Sequence, residues 1–387
     1  MGTLGVYVQV PFCQTKCTYC NFHTGVVSAG RFAPYIRAAQ QEIANAREIL
    51  AQAGIAWDET FPPIDTIYIG GGTPSLLDPS LLDDLLQSIR EHFVASVEEV
   101  TLEADPETIE VEKARSWIAS GLNRISFGSQ SFVDDELKAA GRMHRSSDIY
   151  RAARILRECG LRNISFDLIA GLPKQTHDSW RYSLAETIAL SPEHVSIYMM
   201  EIDEGSRLGL EVLRDAGRYS ARELPSEEAM AEFYELAQRE LKAAGYEQYE
   251  ISNWAKPRFA SKHNLKYWRR EAYLGFGAGA HSFSGTQRWA NVHDAAAYVA
   301  AMETGKSAIE NVQRVTRAMA LEEELFLGLR ELRGVDWRRI EREYGVELGE
   351  KVRRLAESGM LEVETGVVRL AVGKLGVSNE ILVELLG

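Results

Sequence analysis

In its first 200 residues the chain alternates six times between a short β-branched apolar run and a longer stretch of helical spacing, with a glycine or polar loop between them. The runs are Val6–Val10, Ile64–Ile69, Glu99–Glu103, Arg124–Phe127, Ile164–Ile169 and Val195–Met199. The helical stretches include Phe32–Ala53, Ser80–Phe93, Ile109–Ser120, Ile149–Glu158 and Ser179–Leu190, where apolar residues recur at three and four. Parallel neighbours need a crossover of about a dozen residues or more, which a helix supplies, so the alternation predicts a parallel sheet. Six units fall short of the eight that close a (β/α) barrel. The expectation is an α/β fold built on a partial, open (β/α)6 TIM-like barrel, with its chemistry on the loops at the carboxyl ends of the strands.

After Glu201 the rhythm changes to an acidic helical stretch (223–244), a short strand (247–251) and a glycine-rich segment (274–284). The chain then predicts helices over 316–332, 337–344 and 349–358 and a hairpin around Thr365-Gly366, a small winged-helix-like unit. The expected organisation is a barrel over 1–210, an extension over 211–300 and a C-terminal domain over 301–387. Against 43 basic residues stand 56 acidic ones, and no segment concentrates lysine and arginine, so nucleic acid is not an expected partner. Trp337–Met360 mixes six basic with five acidic residues, which suits docking better than phosphate binding. No apolar run reaches the ~18 to 20 residues of a membrane span, and Met1–Val10 has neither a basic region nor a cleavage site. A cytoplasmic protein is expected.

Four cysteines in 387 residues do not make a disulfide framework, and three of them, Cys13, Cys17 and Cys20, are spaced C-x3-C-x2-C in the loop after the first strand. Three thiolates can hold three irons of a [4Fe-4S] cube and leave the fourth iron open to a ligand that is not protein. The alternatives are a structural zinc site, which needs a fourth ligand such as His23, and three unrelated buried thiols. Cys159 stands apart on a helical face, as a buried apolar residue would.

Polar residues follow the other strands. Gly70-Gly71-Gly72-Thr73-Pro74 lets the backbone approach a ligand closely and is expected to leave amide N–H groups free to meet it. Glu103, Gln130, Arg142 and Asp167 lie at or beyond successive strand ends. A buried charge costs several kcal/mol unless a partner satisfies it, so four such groups predict one shared polar cavity, although any one alone could be an internal ion pair.

The cysteine spacing, with Tyr19 just before Cys20, resembles the signature of the radical S-adenosylmethionine superfamily. In that superfamily the open iron chelates S-adenosylmethionine, and an electron from the cluster cleaves it to a 5'-deoxyadenosyl radical. Further segments, Tyr7–Cys13, Gly70–Pro74, Phe127–Phe132 and Asp167–Thr176, resemble the oxygen-independent coproporphyrinogen III oxidase (HemN) branch over nearly the whole chain. The resemblance implies that Tyr7, Gly71, Gly72, Thr73, Glu103, Gln130, Arg142 and Asp167 contact S-adenosylmethionine and that Tyr19 packs near it. Thr73 stands where the superfamily's GGE-type motif has glutamate. In the oxidases a second S-adenosylmethionine shares this cavity, so Gln130, Arg142 and Asp167 could serve either.

Three features depart from the oxidases. Phe22 occupies the position of their fourth cysteine, only six residues precede Tyr7, and His263-Asn264-Leu265-Lys266-Tyr267-Trp268 matches the HN-x2-YW motif of the HemW family. Resemblance to that family implies a haem chaperone that delivers haem to acceptor proteins, membrane-associated respiratory enzymes among them, and leaves a homodimer open. Haem needs an axial donor and an apolar slot, for which His263 and His23 are the candidate ligands. The alternative for His263 and Asn264 is that they hydrogen-bond a loop while the aromatics fill core. The competing class is an enzyme, either a coproporphyrinogen oxidase or a haem-degrading relative.

Overall fold

The computed structural model describes residues 2–22, 24–57, 60–371, 373–374 and 378–386. The six expected strands form and pair in sequence order: β1 (Leu4–Val10), β2 (Ile64–Gly71), β3 (Ala95–Ala104), β4 (Arg124–Gln130), β5 (Asn163–Ala170) and β6 (His194–Met199). All five pairings are parallel. Strand period explains the sidedness of β1: Leu4, Val6, Val8 and Val10 are fully buried on one face, while Tyr7 and Gln9 alternate with them on the other. Burying each such aliphatic side chain contributes about 1.5–3 kcal/mol.

The crossovers are helical: α1 (Phe32–Ala44) and α2 (Ala46–Gln52), α3 (Pro79–His92), α4 (Val111–Ala119), α5 (Asp134–Ala139) with α6 (Ser146–Glu158), and α7 (His177–Leu190). The single helix expected over Phe32–Ala53 breaks at Asn45, whose side-chain Nδ2 donates to Gln41 O at 2.8 Å while its backbone leaves the helical region at φ −108. Asparagine competes with the helix for its own carbonyls in this way.

Beyond β6 come α8 (Arg207–Leu213), α9 (Glu227–Ala243), β7 (Glu247–Glu250), β8 (Asn253–Ala255) and α10 (Lys262–Trp268). The glycine-rich 274–284 segment proves to be two strands, β9 (Tyr273–Phe276) and β10 (His281–Phe283), followed by β11 (Gln287–Asn291), α11 (Ala295–Glu303) and β12 (Ile309–Arg314). A Cβ on Gly275 would come within 2.1 Å of His281 O, so the close turn between β9 and β10 requires glycine there. Among the described residues the sheet has twelve strands in the order β12-β11-β10-β9-β1-β2-β3-β4-β5-β6-β8-β7. β9 lies parallel to β1, and β8 runs antiparallel to β6 at the other side. Phe233, Trp254, Leu274 and Tyr298 from this extension join the same core as the barrel strands.

A second core gathers Leu325, Ile340, Val352, Leu355, Val368 and Ile381. It is built by α12 (Arg317–Gly328), β13 (Val335–Asp336), α13 (Trp337–Tyr344), α14 (Gly349–Glu357), β14 (Leu361–Glu364), β15 (Val367–Leu370) and α15 (Ser378–Leu386). Thr365 and Gly366, both at positive φ, close the β14–β15 hairpin. This unit docks through buried Glu331, which meets Arg269 at 3.0 Å, and through Glu323, which takes Arg270 and Arg288 at 2.9 Å each. Among the described residues no helix is long and apolar enough to cross a membrane.

Candidate functional site

Where β1 ends, Pro11 leads into Phe12–Cys13, which pairs with Gly25–Val26. The loop that follows is pinned at Thr18, whose N–H donates to Ala140 O at 3.0 Å and whose carbonyl accepts from Leu208 N at 2.8 Å. Cys13, Cys17 and Cys20 are free, half-buried, and open onto one cavity of about 810 Å³ at the carboxyl ends of the strands. Among the described residues, no three histidine, cysteine, aspartate or glutamate side chains lie close enough together to share one metal ion. A cubane gives each thiolate its own iron, so three cysteines around an opening fit it without converging.

The glycine loop after β2 packs backbone to backbone against the cysteine loop. Gly72 N–H donates to Val10 O at 2.8 Å and Thr73 N–H to Phe12 O at 2.7 Å, while Gly71 N–H donates to Glu103 Oε2 at 2.8 Å. The expectation of free N–H groups in this loop is therefore wrong, because the protein itself engages all three. A Cβ on Gly72 would lie 2.4 Å from Phe12 O. Gly72→Ala should thus push the two loops apart at a cost of about 1–3 kcal/mol and lower iron incorporation per chain. Wild-type iron content in the alanine variant would refute that coupling.

Around this loop the polar residues form two groups. Glu103 accepts from Tyr68 Oη at 2.8 Å as well as from Gly71, and burial pushes its pKa up to about 7 despite those bonds. Arg142 donates to Gly128 O at 2.9 Å and to Asp105, and its other terminal nitrogen meets Cys17 Sγ at 3.4 Å. Asp105 also accepts from Thr73 Oγ1 at 3.1 Å, which gives Thr73 a fixed partner. Sequence reasoning missed Asp105. The two-residue spacing from Glu103, which puts both carboxylates on one side of an extended strand end, was the available clue. Gln130 holds a left-handed backbone, φ 61, at the end of β4. Asp167 accepts from Ser126 Oγ at 3.1 Å, and burial raises its pKa.

Cys13, Cys17, Cys20, Tyr19, Gly71, Gly72, Thr73, Glu103, Gln130, Arg142 and Asp167 all line the cavity. Tyr7 is not among its lining residues: its hydroxyl donates to Gln9 Oε1 at 2.6 Å, and its ring lies 5.9 Å from Tyr68 and 6.4 Å from His263. His23 lies outside the described residues.

The HN-x2-YW motif forms α10, which contributes Asn264, Tyr267 and Trp268 to the cavity wall. Its start is held from inside the barrel by Glu99, which accepts from Lys262 N at 3.1 Å and His263 N at 3.0 Å, while Ser261 caps the helix. Buried Lys266 pairs with Asp65 at 2.9 Å and Glu271 at 3.0 Å. His263 does not reach the cavity. Its Nδ1 lies 2.9 Å from Thr66 Oγ1 and its Nε2 2.8 Å from Tyr267 Oη, and burial lowers its pKa to about 3. Both ring nitrogens are engaged and the ring is neutral at physiological pH.

Residues 7–186 match the radical SAM superfamily, and residues 315–371 match the HemN C-terminal domain. A relative named heme chaperone HemW from Bacillus subtilis is 36% identical over 388 residues, covering 98% of each chain. Another of the same name, from Lactococcus lactis, is 33% identical over 92% of this chain and 90% of its own. The solved coproporphyrinogen III oxidase (HemN) of Escherichia coli superposes with a TM-score of 0.82 over 99% of this chain and 90% of its own, at 22% identity, which shows the shared fold. The signature cysteines, the barrel and the full-length relatives agree, and the chain belongs to the HemW family of the radical SAM superfamily.

Proposed function

We propose that the chain is a haem chaperone, which holds haem together with a [4Fe-4S] cluster and S-adenosylmethionine and passes the haem to acceptor proteins. The observation that carries this reading is a single cavity bounded at once by the three cysteines and by Tyr267 and Trp268 of the HN-x2-YW helix. Superfamily membership implies the cluster and S-adenosylmethionine, and the names of the full-length relatives support haem as cargo.

In this reading Cys13, Cys17 and Cys20 hold the cluster. When bound, the cluster supplies one-electron chemistry and an open iron for a chelating ligand. The residues Tyr19, Gly71, Gly72, Thr73, Glu103, Gln130, Arg142 and Asp167 contact S-adenosylmethionine, and Tyr7 acts from behind by fixing Gln9. Since its N–H groups are engaged, the glycine loop has carbonyl oxygens to offer, and these suit an ammonium rather than a carboxylate. Arg142, beside Cys17, places positive charge next to a thiolate ligand. His263 serves as a post that orients Tyr267, because ligating iron would require it to release Thr66 or Tyr267. Haem is handed over in the cytoplasm, respiratory enzymes at the membrane being among the acceptors.

Anaerobically reconstituted protein should bind haem at one per chain. Given coproporphyrinogen III, S-adenosylmethionine and a reductant, it should form no protoporphyrinogen. Robust decarboxylation would overturn the chaperone assignment in favour of an oxidase.

A further inference from the structure

The cavity has a second polar end that the cluster and S-adenosylmethionine residues do not use. It forms where the barrel extension meets the C-terminal unit, from Glu250 at the end of β7, Asn253 at the start of β8, Trp268 at the end of α10 and Arg330 after α12, all of which line the cavity. The Arg330 guanidinium lies 4.7 Å from the centre of the Trp268 ring, and its Nη2 is 3.8 Å from Glu250 Oε2, beyond hydrogen-bond reach. Glu250 Oε1 accepts from Ser252 N at 2.9 Å and from Asn253 Nδ2.

Four buried polar atoms here make no hydrogen bond among the described residues: Trp268 Nε1, Arg330 Nε, Glu250 Oε2, whose one contact is the long ion pair to Arg330, and Asn253 Oδ1. Glu250 is 0% exposed and Asn253 3%. Leaving a buried donor or acceptor without a hydrogen bond is unfavourable, so four in one place mark a site whose occupant is polar. The two donors fix the kind of group. An indole N–H and a guanidinium N–H beside each other are complementary to a carboxylate, and arginine is the residue best suited to bind one. The two acceptors are close enough in chain and contact to be served by one water, which has two hydrogens to donate. Burial also pushes the Glu250 carboxyl up, against the lowering effect of Arg330 and its hydrogen bonds.

We propose that Trp268 and Arg330, backed by Glu250 and Asn253, bind a propionate carboxylate of the haem cargo. This rests on the haem-chaperone reading and deepens it, since the tetrapyrrole carries its carboxylates at one edge and would be oriented by them. Trp268 then has two roles, its ring as a stacking face under Arg330 and its N–H as a propionate donor.

The test compares haem with its dimethyl ester, which keeps the macrocycle and iron but removes both carboxylates. Wild-type protein should bind haem at least about tenfold more tightly than the ester. Arg330→Gln should weaken haem by about tenfold while leaving the ester unchanged, and Trp268→Phe, which keeps an aromatic wall but no N–H, should weaken haem about tenfold more than it weakens the ester, with the iron-sulfur absorbance of each variant as the check on folding. Equal affinity of wild type for both forms, or variants that weaken both equally, would overturn the carboxylate pocket and leave the chaperone reading standing. Failure of wild type to bind either form would refute the chaperone reading itself. If esterification has no effect but the two substitutions weaken S-adenosylmethionine, the carboxylate is that of an amino acid and the proposal falls.

Discussion

Cys17→Ala is expected to remove the iron-sulfur absorbance of anaerobically reconstituted protein and to bring iron and sulfide per chain to background. With three cysteine ligands and no fourth in the loop, each thiolate is a third of the protein's hold on a cube, and two cannot retain it. Cys17 also has a neighbour that alanine would strand. Arg142 Nη1 points at its sulfur at 3.4 Å, with the rest of the guanidinium held by Asp105 and Gly128 O, so the charge would face an empty position. The control is Cys159→Ala. That thiol sits on the barrel's outside, its Sγ 3.9 Å from Val111 O, and its loss should leave the spectrum intact. A Cys17→Ala protein that kept its cluster would show the ligand set to be wrong.

The second large effect belongs to a residue remote from iron. Glu99→Ala should destabilise the apoprotein by about 2–5 kcal/mol in denaturant unfolding, the consequence of taking a buried acceptor from two N–H groups and a nearby negative charge from a buried cation. Glu99 is 4% exposed on β3 and Arg124, on neighbouring β4, is 1% exposed. Burial works against the charge of Arg124, and the attractions of Glu99, Tyr68, Tyr249 and Asp167, of which Glu99 is the largest, together outweigh it. The same carboxylate terminates the N–H groups of Lys262 and His263. Alanine would therefore remove the largest attraction on a buried cation and leave the first turn of α10 without its acceptor. Faster hydrogen exchange at the α10 amides would accompany the loss, and a change below about 1 kcal/mol would show that α10 is held by other contacts.

The strands of the barrel were legible because buried parallel strands are runs of Val and Ile with glycine or polar loops at their ends. β9 to β12 were not, because glycine at 275, 277 and 279 hides the first turn and Ile309–Arg314 is largely exposed, without an apolar face. α10 is seven residues long, too short for any helical period to register, and its fixation comes from Glu99, far away in sequence. At the site, spacing and strand-end position identified Cys13, Glu103, Arg142 and Asp167 as residues that could face a common space. Position alone does not say which groups are already satisfied. The N–H groups of the glycine loop were expected to be available and His263 stood open between haem ligand and hydrogen-bonding residue; internal partners take those N–H groups and both nitrogens of the ring. Trp268 was singled out as part of its motif, but Arg330 and its place over the Trp268 ring escaped notice, because only the docking of two separate cores brings the two together.

The backbone bonds from Gly72 to Val10 and from Thr73 to Phe12 are complete in the protein alone. They join the strand that carries Cys13 to the glycine loop through main-chain groups, which no change of side chain deletes, so the distance between the two loops is inherited from the backbone. Drift in side-chain identity around the opening therefore leaves that spacing intact, and what disturbs it is bulk wedged between the two stretches, as at position 72.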